Sequence, residues 1–469
     1  MASPAAGAQA QPRAPELLRQ IGLISASALV VSNMIGTGVF GTTGFLAGDL
    51  GSPSIVLWIW VVGALCALLG AFCYSELGVN FPSSGGEFVY LTQAYGPTWG
   101  FMTGWVSFFA GFSGPIALAA LAFSEYLGYF WPGLKQANAQ YSFGPAWFTL
   151  KFGGAQMAAS LLIAVLTVIN IFGVKPVVAI QNALTATKLV VIFGLIFFGL
   201  AAGTGSWEHF SQPATRWTTK SIETQFFISL FFIYLSYSGW NAATYVAEEI
   251  HQPAKTLPRA LAFGTGAVAI IYLLLNIVFI YAVPLEKMKG EIAIGTLAAS
   301  ALFGPAVSGV FAALFAVSLT STVNAMVTIG PRVYYAMAKN GAFLAMAAEV
   351  HPQWRTPVSA ILLQGVVAII MTLTPFPSLV MFVGFLLNFF ATITVASLFV
   401  FRKRPGWQKL PVVSFAWPLV PLGFILVGAW MTIFGFTLQP RVAITAAVIV
   451  AAGALLFHFT RKPQEISHA

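Results

Sequence analysis

The chain has 469 residues, 58% of them hydrophobic and only 7% charged, with a mean hydropathy of +0.85. A soluble domain carries about 25% charged residues, so the composition excludes a soluble globular protein and points to a polytopic membrane protein. The net charge of +9 is not read as a nucleic-acid footprint, because the basic residues are spread over short loops between apolar runs.

The first dozen residues are rich in Ala, Pro and Gln and carry no cleavable-signal pattern, so residues 1–16 are expected to form a disordered cytoplasmic tail. Residues 17–460 read as a single transmembrane domain without a long soluble segment, and residues 461–469 as a second cytoplasmic tail. Windows of about 20 apolar residues mark membrane spans. The sequence predicts twelve: Ile21–Ala47, Ile55–Leu77, Trp99–Phe130, Ala155–Phe172, Val177–Leu200, Thr224–Val246, Ala260–Val283, Thr296–Met337, Val358–Leu373, Leu379–Phe401, Val413–Ile433 and Val442–Phe457. The third and eighth exceed one bilayer thickness, which predicts strong tilt or a terminal extension.

With the N-terminus in the cytoplasm, fourteen Lys and Arg residues fall on that side and seven outside, so both termini are expected inside. The only cysteines, Cys66 and Cys73, lie seven residues apart in the second span, about two helical turns and too far to bridge easily. No Cys/His spacing suits a metal, and no cofactor is expected. The five histidines lie in loops, at a span end or in the tail, and no buried carboxylate pair accompanies them, so an enzyme is not expected.

Span one contains "NMIGTGVF", Asn33 to Phe40, in the middle of its apolar run. Each glycine costs a helix about 1 kcal/mol relative to alanine, so Gly36-Thr37-Gly38 marks either close helix packing or a deliberate break. A matching polar, small-residue patch, Ser236 to Asn241, lies in the centre of span six. Interruptions in the first helix of each of two five-helix sets predict an inverted repeat, over about residues 21–201 and 222–402, with spans eleven and twelve appended. Backbone N–H groups at a half-helix N-terminus suit an anion, and C=O groups at a half-helix C-terminus suit a cation. A ligand carrying one carboxylate and one ammonium fits both, which describes an α-amino acid.

Lys188, about eleven residues inside span five, is the one ionisable residue placed near mid-membrane. At roughly 16 Å from the start of the span it is too deep to snorkel, and a charge there is about 2.5–3.5 kcal/mol unfavourable, so a functional role is the expectation. Glu76, Glu87, Glu248 and Glu249 are placed at the cytoplasmic side with Lys255, Arg259, Arg332 and Lys339, either as solvated helix ends or as an inner gate of ion pairs.

Four stretches in order, "MIGTGVF", "SELGVNFPSSGGEFVYL", "SGWNAATYVAEEIHQPAKTLPRA" and "NAMVTIGPRVYYAMAKNG", followed by "HPQWRTP", resemble the amino acid–polyamine–organocation superfamily, and within it the L-type amino acid transporters and their bacterial relatives. The resemblance runs from about Leu17 to Arg404. It implies an all-α leucine-transporter-type fold of twelve helices, with helices one and six broken, and alternating access around a mid-membrane amino acid. Carried over by position, the N–H groups of Thr37 and Gly38 would hold the carboxylate, and carbonyls of Met34, Leu235 and Ser238 the ammonium. Ile35, Gly36 and Gly239 complete the two unwound segments. Leu235 stands where many relatives have an aromatic gate. Tyr237, Trp240 and Asn241 continue the motif, either in function or in packing. A lysine at the position of Lys188 takes the place of the sodium ion used by sodium-coupled members, bridging span one near Ser32 and span eight near Thr322. Asn388 in span ten, with Ser113 and Ile116 in span three, is read as a pocket-lining candidate.

Relatives that carry cationic amino acids or polyamines usually need acidic residues near the side chain, and none is identified in the central region. The expectation is a sodium-independent exchanger of neutral L-amino acids in a bacterial inner membrane; the alternatives are a proton-coupled symporter and a non-transporting amino acid sensor. Eukaryotic L-type relatives are linked to a single-span glycoprotein through a cysteine in the outer loop between spans three and four. Here that loop, Trp131 to Gly154, contains no cysteine, so no disulfide-linked heavy subunit is expected.

Overall fold

The computed structural model describes residue 19 and residues 21–82, 85–145, 149–172, 174–339, 341 and 343–460. The two tails read from the sequence lie outside the described residues. Among the described residues, apart from a short antiparallel pair, Tyr141–Phe143 with Leu150–Phe152, and a single parallel bridge between Ile21 and Ile250, the regular structure is helical. Among the described residues eleven helices are long and apolar enough to cross a membrane. The segment expected as span nine is a shorter apolar helix, Val358–Met371, of 14 residues. That helix rises about 21 Å, less than a hydrocarbon core of about 30 Å, so the count of twelve full-length spans is corrected to eleven plus this one. The numbering of spans one to twelve is kept below, the short helix being span nine.

The over-long eighth run is not one tilted helix. It divides at Gly304, whose φ of +81° closes the helix Ile294–Phe303, and Pro305 opens the 35-residue helix of span eight, Pro305–Lys339. Glycine just past a helix end and proline at a helix start are the favoured chemistry there. Span three, Pro97–Leu127, stays continuous over 31 residues but passes through a π-helical segment, Ser107–Ser113. An extra helix, Glu87–Tyr95, lies between spans two and three and ends at Gly96, with φ +97°.

Spans one and six are both interrupted. Span one runs as Leu23–Met34, opens at Ile35 and Gly36, and resumes as Thr37–Gly41 and Thr43–Leu50. Thr42 itself has helical angles and its N–H bonds the Gly38 carbonyl, so the second half is close to continuous. Span six runs as Ile222–Tyr237, turns through Ser238 to Asn241, and continues as a 3-10 helix, Ala242–Glu249. Span seven (Pro253–Ala282) packs extensively on spans one and two (Pro53–Asn80), and span eight on spans three and five (Val174–Ala202). Large apolar side chains such as Trp58, Leu65, Phe197, Ile270 and Leu426 point outward. A soluble monomer rarely carries apolar exposure on this scale, and the hydrocarbon of a bilayer covers it without cost.

Candidate functional site

The two interruptions meet, and two glycines are the points of contact. A Cβ on Gly38 would lie 2.3 Å from Ser236 Cα, and one on Gly239 would lie 3.0 Å from the Asn33 carbonyl oxygen. Gly239 also has φ +94°, a region that favours glycine. Close packing and a deliberate break, opposed as alternatives in the sequence, therefore hold together: the helices open where their backbones touch.

Opening span one leaves carbonyls at the end of its first half without intrahelical partners. Lys188, 2% exposed, answers one of them: its ammonium donates to the Ile35 carbonyl at 2.7 Å and to Thr322 Oγ1 at 3.1 Å. A cation there also faces the negative end of the half-helix dipole. The contact expected near Ser32 falls instead one turn on, at Ile35, because only past Met34 does the backbone turn its carbonyl out of the helix.

Tyr272 of span seven answers the other, and sequence reasoning missed it. Its buried hydroxyl lies 2.6 Å from the Met34 carbonyl and 3.0 Å from the Ser236 carbonyl, touching both interruptions with one donor. A buried tyrosine needs a partner, but no sequence pattern says which backbone will supply it. Removing only that hydroxyl, in Tyr272→Phe, leaves two buried carbonyls competing for nothing. The expected outcome is a folded protein with about tenfold weaker amino acid uptake, the scale of a lost buried hydrogen bond; unchanged uptake in vesicles would remove Tyr272 from the site.

Thr37 and Gly38 lie buried at the start of the second half of span one. Gly36, between the halves, is partly exposed. The Leu235 carbonyl accepts the N–H of Ser238 at 3.0 Å and its hydroxyl at 2.7 Å, which closes the end of the first half of span six. A carbonyl oxygen has two lone pairs, so the engaged Met34 oxygen retains one acceptor position. Ser113, the last residue of the π-helical segment, and Ile116 just after it are fully buried, and Ser113 Oγ has no hydrogen-bond partner. Asn388 uses its donor elsewhere, and its buried Oδ1 has no hydrogen-bond partner. Its amide donates to the Gly428 carbonyl at 2.9 Å and to Thr432 Oγ1 at 3.2 Å, so it docks span eleven on span ten. Tyr237 and Trp240 also pack: Tyr237 donates to the Trp60 carbonyl and Trp240 lies edge-on to Tyr74.

The two ends of the site differ. Thr37–Leu50 is buried almost throughout, with Phe45 stacked on Phe232 and Phe376 at 5.6 and 6.0 Å. Loop backbone crosses its far end, where the N–H groups of Ala214, Trp217 and Gly290 bond the carbonyls of Gly51, Gly48 and Gly44. The first half leaves Ser25 and Ala28 exposed. At that end Glu87, Glu249, Lys255, Arg259, Arg332 and Lys339 form no ion pair with one another among the described residues, as solvated helix ends or an opened gate would both have it, and the side chain of Glu248 lies outside the described residues. Among the described residues the ion pairs are Lys289–Glu286 and Arg402–Glu76. Glu76 is fully buried rather than solvated and accepts from Arg402 at 2.5 and 2.7 Å, Trp407 Nε1 at 2.8 Å and the Leu410 N–H at 3.0 Å. Glu87 accepts from Asn241 Nδ2 at 2.6 Å and the Tyr245 hydroxyl at 2.5 Å, tying the helix after span two to the second half of span six.

Residues 21–459, nearly the whole described chain, match the sequence pattern of amino acid permeases. The chain belongs to the amino acid permease family. Among its relatives, a mouse protein named large neutral amino acids transporter small subunit 2 is 27% identical over 463 residues, covering 97% of this chain and 83% of the relative. The rat Asc-type amino acid transporter 1 is 27% identical over 452 residues, covering 94% and 81%. The serine/threonine exchanger SteT of Bacillus subtilis is 28% identical over 456 residues, covering 96% and 98%. The permease is thus an integral membrane protein similar to amino acid transporters over almost its full length, and the superfamily resemblance carried by the four motifs stands.

Proposed function

We propose that this permease exchanges neutral L-amino acids across a bacterial inner membrane, independently of sodium, by alternating access between two inverted five-helix repeats with both termini in the cytoplasm. The observation that carries the reading is Lys188, whose ammonium sits between the interruption of span one and span eight at 2.7 and 3.1 Å. A fixed cation at the end of a half-helix supplies the charge that a bound metal ion would otherwise bring to the exposed carbonyls. The neighbouring N–H groups of Gly36, Thr37 and Gly38 suit a carboxylate, and the second acceptor position of the Met34 carbonyl, with Leu235 and Ser238, suits an ammonium. Burial of the Thr37–Leu50 half against exposure of Ser25 and Ala28 supports a state closed on the outer side. The names of the relatives, which speak of neutral amino acids and of serine/threonine exchange, favour the same substrate class.

The chain is read as working alone. Its outer loop between spans three and four holds no cysteine, and Cys66 and Cys73 both lie within span two. The test is substrate counterflow in liposomes containing only the purified chain, with a panel of amino acids, with and without Na⁺ and a pH gradient. Trapped neutral amino acid should accelerate entry of label to the same extent in Na⁺ and in choline buffer. Steep Na⁺ dependence would overturn the role of Lys188, and activity only after addition of a second protein would overturn the claim of autonomy. Binding without any label accumulation would identify a sensor. One observation favours a second reading, proton symport: Lys188 is an amine that a proton can leave and rejoin, and accumulation driven by a pH gradient would select it.

A further inference from the structure

The face of span five that presents Lys188 also presents Thr185 and Gln181, at helical spacings of three and four residues, and its side chains bond Ser321, Thr322 and Asn324 of span eight. Asn324 is buried to 1% exposure and its carboxamide is used at both ends. Its Nδ2 donates to Gln181 Oε1 at 2.9 Å, and its Oδ1 accepts from Asn170 Nδ2 of span four at 3.1 Å. Gln181 Nε2 in turn donates to Ser321 Oγ at 2.9 Å, and Thr328 Oγ1 donates to Asn170 Oδ1 at 2.7 Å. Three carboxamides from three spans thus form one directional chain, which ends at Ser321 beside Thr322.

Directional bonds fix the sliding register of two helices in a way apolar contacts do not. A slip of span five along span eight by one residue is about 1.5 Å. The contact of Lys188 with Thr322 Oγ1, already 3.1 Å, has only a few tenths of an ångström to give before it ceases to be a hydrogen bond. We propose that Asn324 is a positioning residue: by locking spans four, five and eight in register, it holds the Lys188 ammonium against the Ile35 carbonyl and Thr322. The proposal rests on the reading of Lys188 as the fixed cation of the transport site.

The experiment is a double-mutant cycle of Asn324→Ala with Lys188→Ala on the full-length chain, read in two ways. Melting temperature in detergent tests the coupling without any transport: the loss in the double variant should fall clearly short of the sum of the two single losses, as expected for residues acting as one unit. Counterflow tests the consequence. Asn324→Ala and Lys188→Ala should each raise KM for the exchanged amino acid about tenfold, and Asn324→Ala should change it by less than about twofold in the Lys188→Ala background. A loosened bundle would lower the active fraction and leave KM unmoved. Thr328→Val, which removes one hydroxyl from the same chain at equal volume, repeats the cycle if Asn324→Ala does not fold. Additive losses in melting temperature and in KM overturn the proposal. Coupled melting temperatures in a protein that exchanges no amino acid support the positioning and overturn the transport reading instead.

Discussion

Lys188→Ala is expected to cut exchange at subsaturating substrate by roughly ten- to a hundredfold. The ammonium makes two charge-assisted hydrogen bonds inside the membrane, at 2.7 and 3.1 Å. Hydrogen bonds to charged groups contribute about 1.5–3 kcal/mol, which at about 1.4 kcal/mol per decade spans that range. The alanine would leave the Ile35 carbonyl without its donor at the point where span one opens, so the loss falls on the geometry of the break. Added Na⁺ is the second arm: the Ile35 carbonyl and the Thr322 hydroxyl that lose the ammonium are oxygen ligands of the kind a hard cation takes, so partial recovery in Na⁺ is expected if the lysine supplies only a fixed charge. Counterflow with Lys188→Ala, with and without Na⁺, measures both points, and an unimpaired exchange rate would sink the assignment.

Gly38→Val should be the most damaging single substitution in span one. Its Cβ would fall 2.3 Å from Ser236 Cα and 2.6 Å from Ser236 Cβ, so the obstacle is backbone and cannot swing aside. Overpacking of this kind costs about 1–3 kcal/mol or more. The contact between the two interruptions should open, and amino acid binding should vanish together with a clear drop in melting temperature. Gly36→Ala separates the two effects. Its Cβ would rest 3.5 Å from Thr322 Cγ2, an ordinary contact, so that protein should melt close to the parent while a methyl group crowds the carboxylate position and weakens binding. Wild-type affinity in both variants, by ligand-induced thermal shift, would exclude the first interruption as the binding site.

Much of this was legible before any coordinates. Composition alone determined the membrane class, because a bilayer-spanning helix must be apolar along about 20 residues whatever it packs against. Gly36, Gly38 and Gly239 marked both interruptions, since the cost of glycine in a helix is a local property of the backbone. Lys188 stood out because an intramembrane charge is expensive in any tertiary context. Motif order then identified the family.

What depended on three-dimensional neighbours was not legible. Asn388 and Lys188 are both lone polar residues in apolar runs, yet one docks span eleven and the other reaches the opening of span one, and only the packing of the spans separates them. Tyr272 reads as one more aromatic until its hydroxyl is seen between the Met34 and Ser236 carbonyls. Glu76 was placed at a helix end, but its partner Arg402 lies 326 residues away in the chain, and with Trp407 and Leu410 as further donors that distant segment satisfies the buried carboxylate. Hydropathy and glycine content act over a few residues and survive in one dimension. Which polar group meets which depends on how the spans pack together, and that information resides in no single stretch of the sequence.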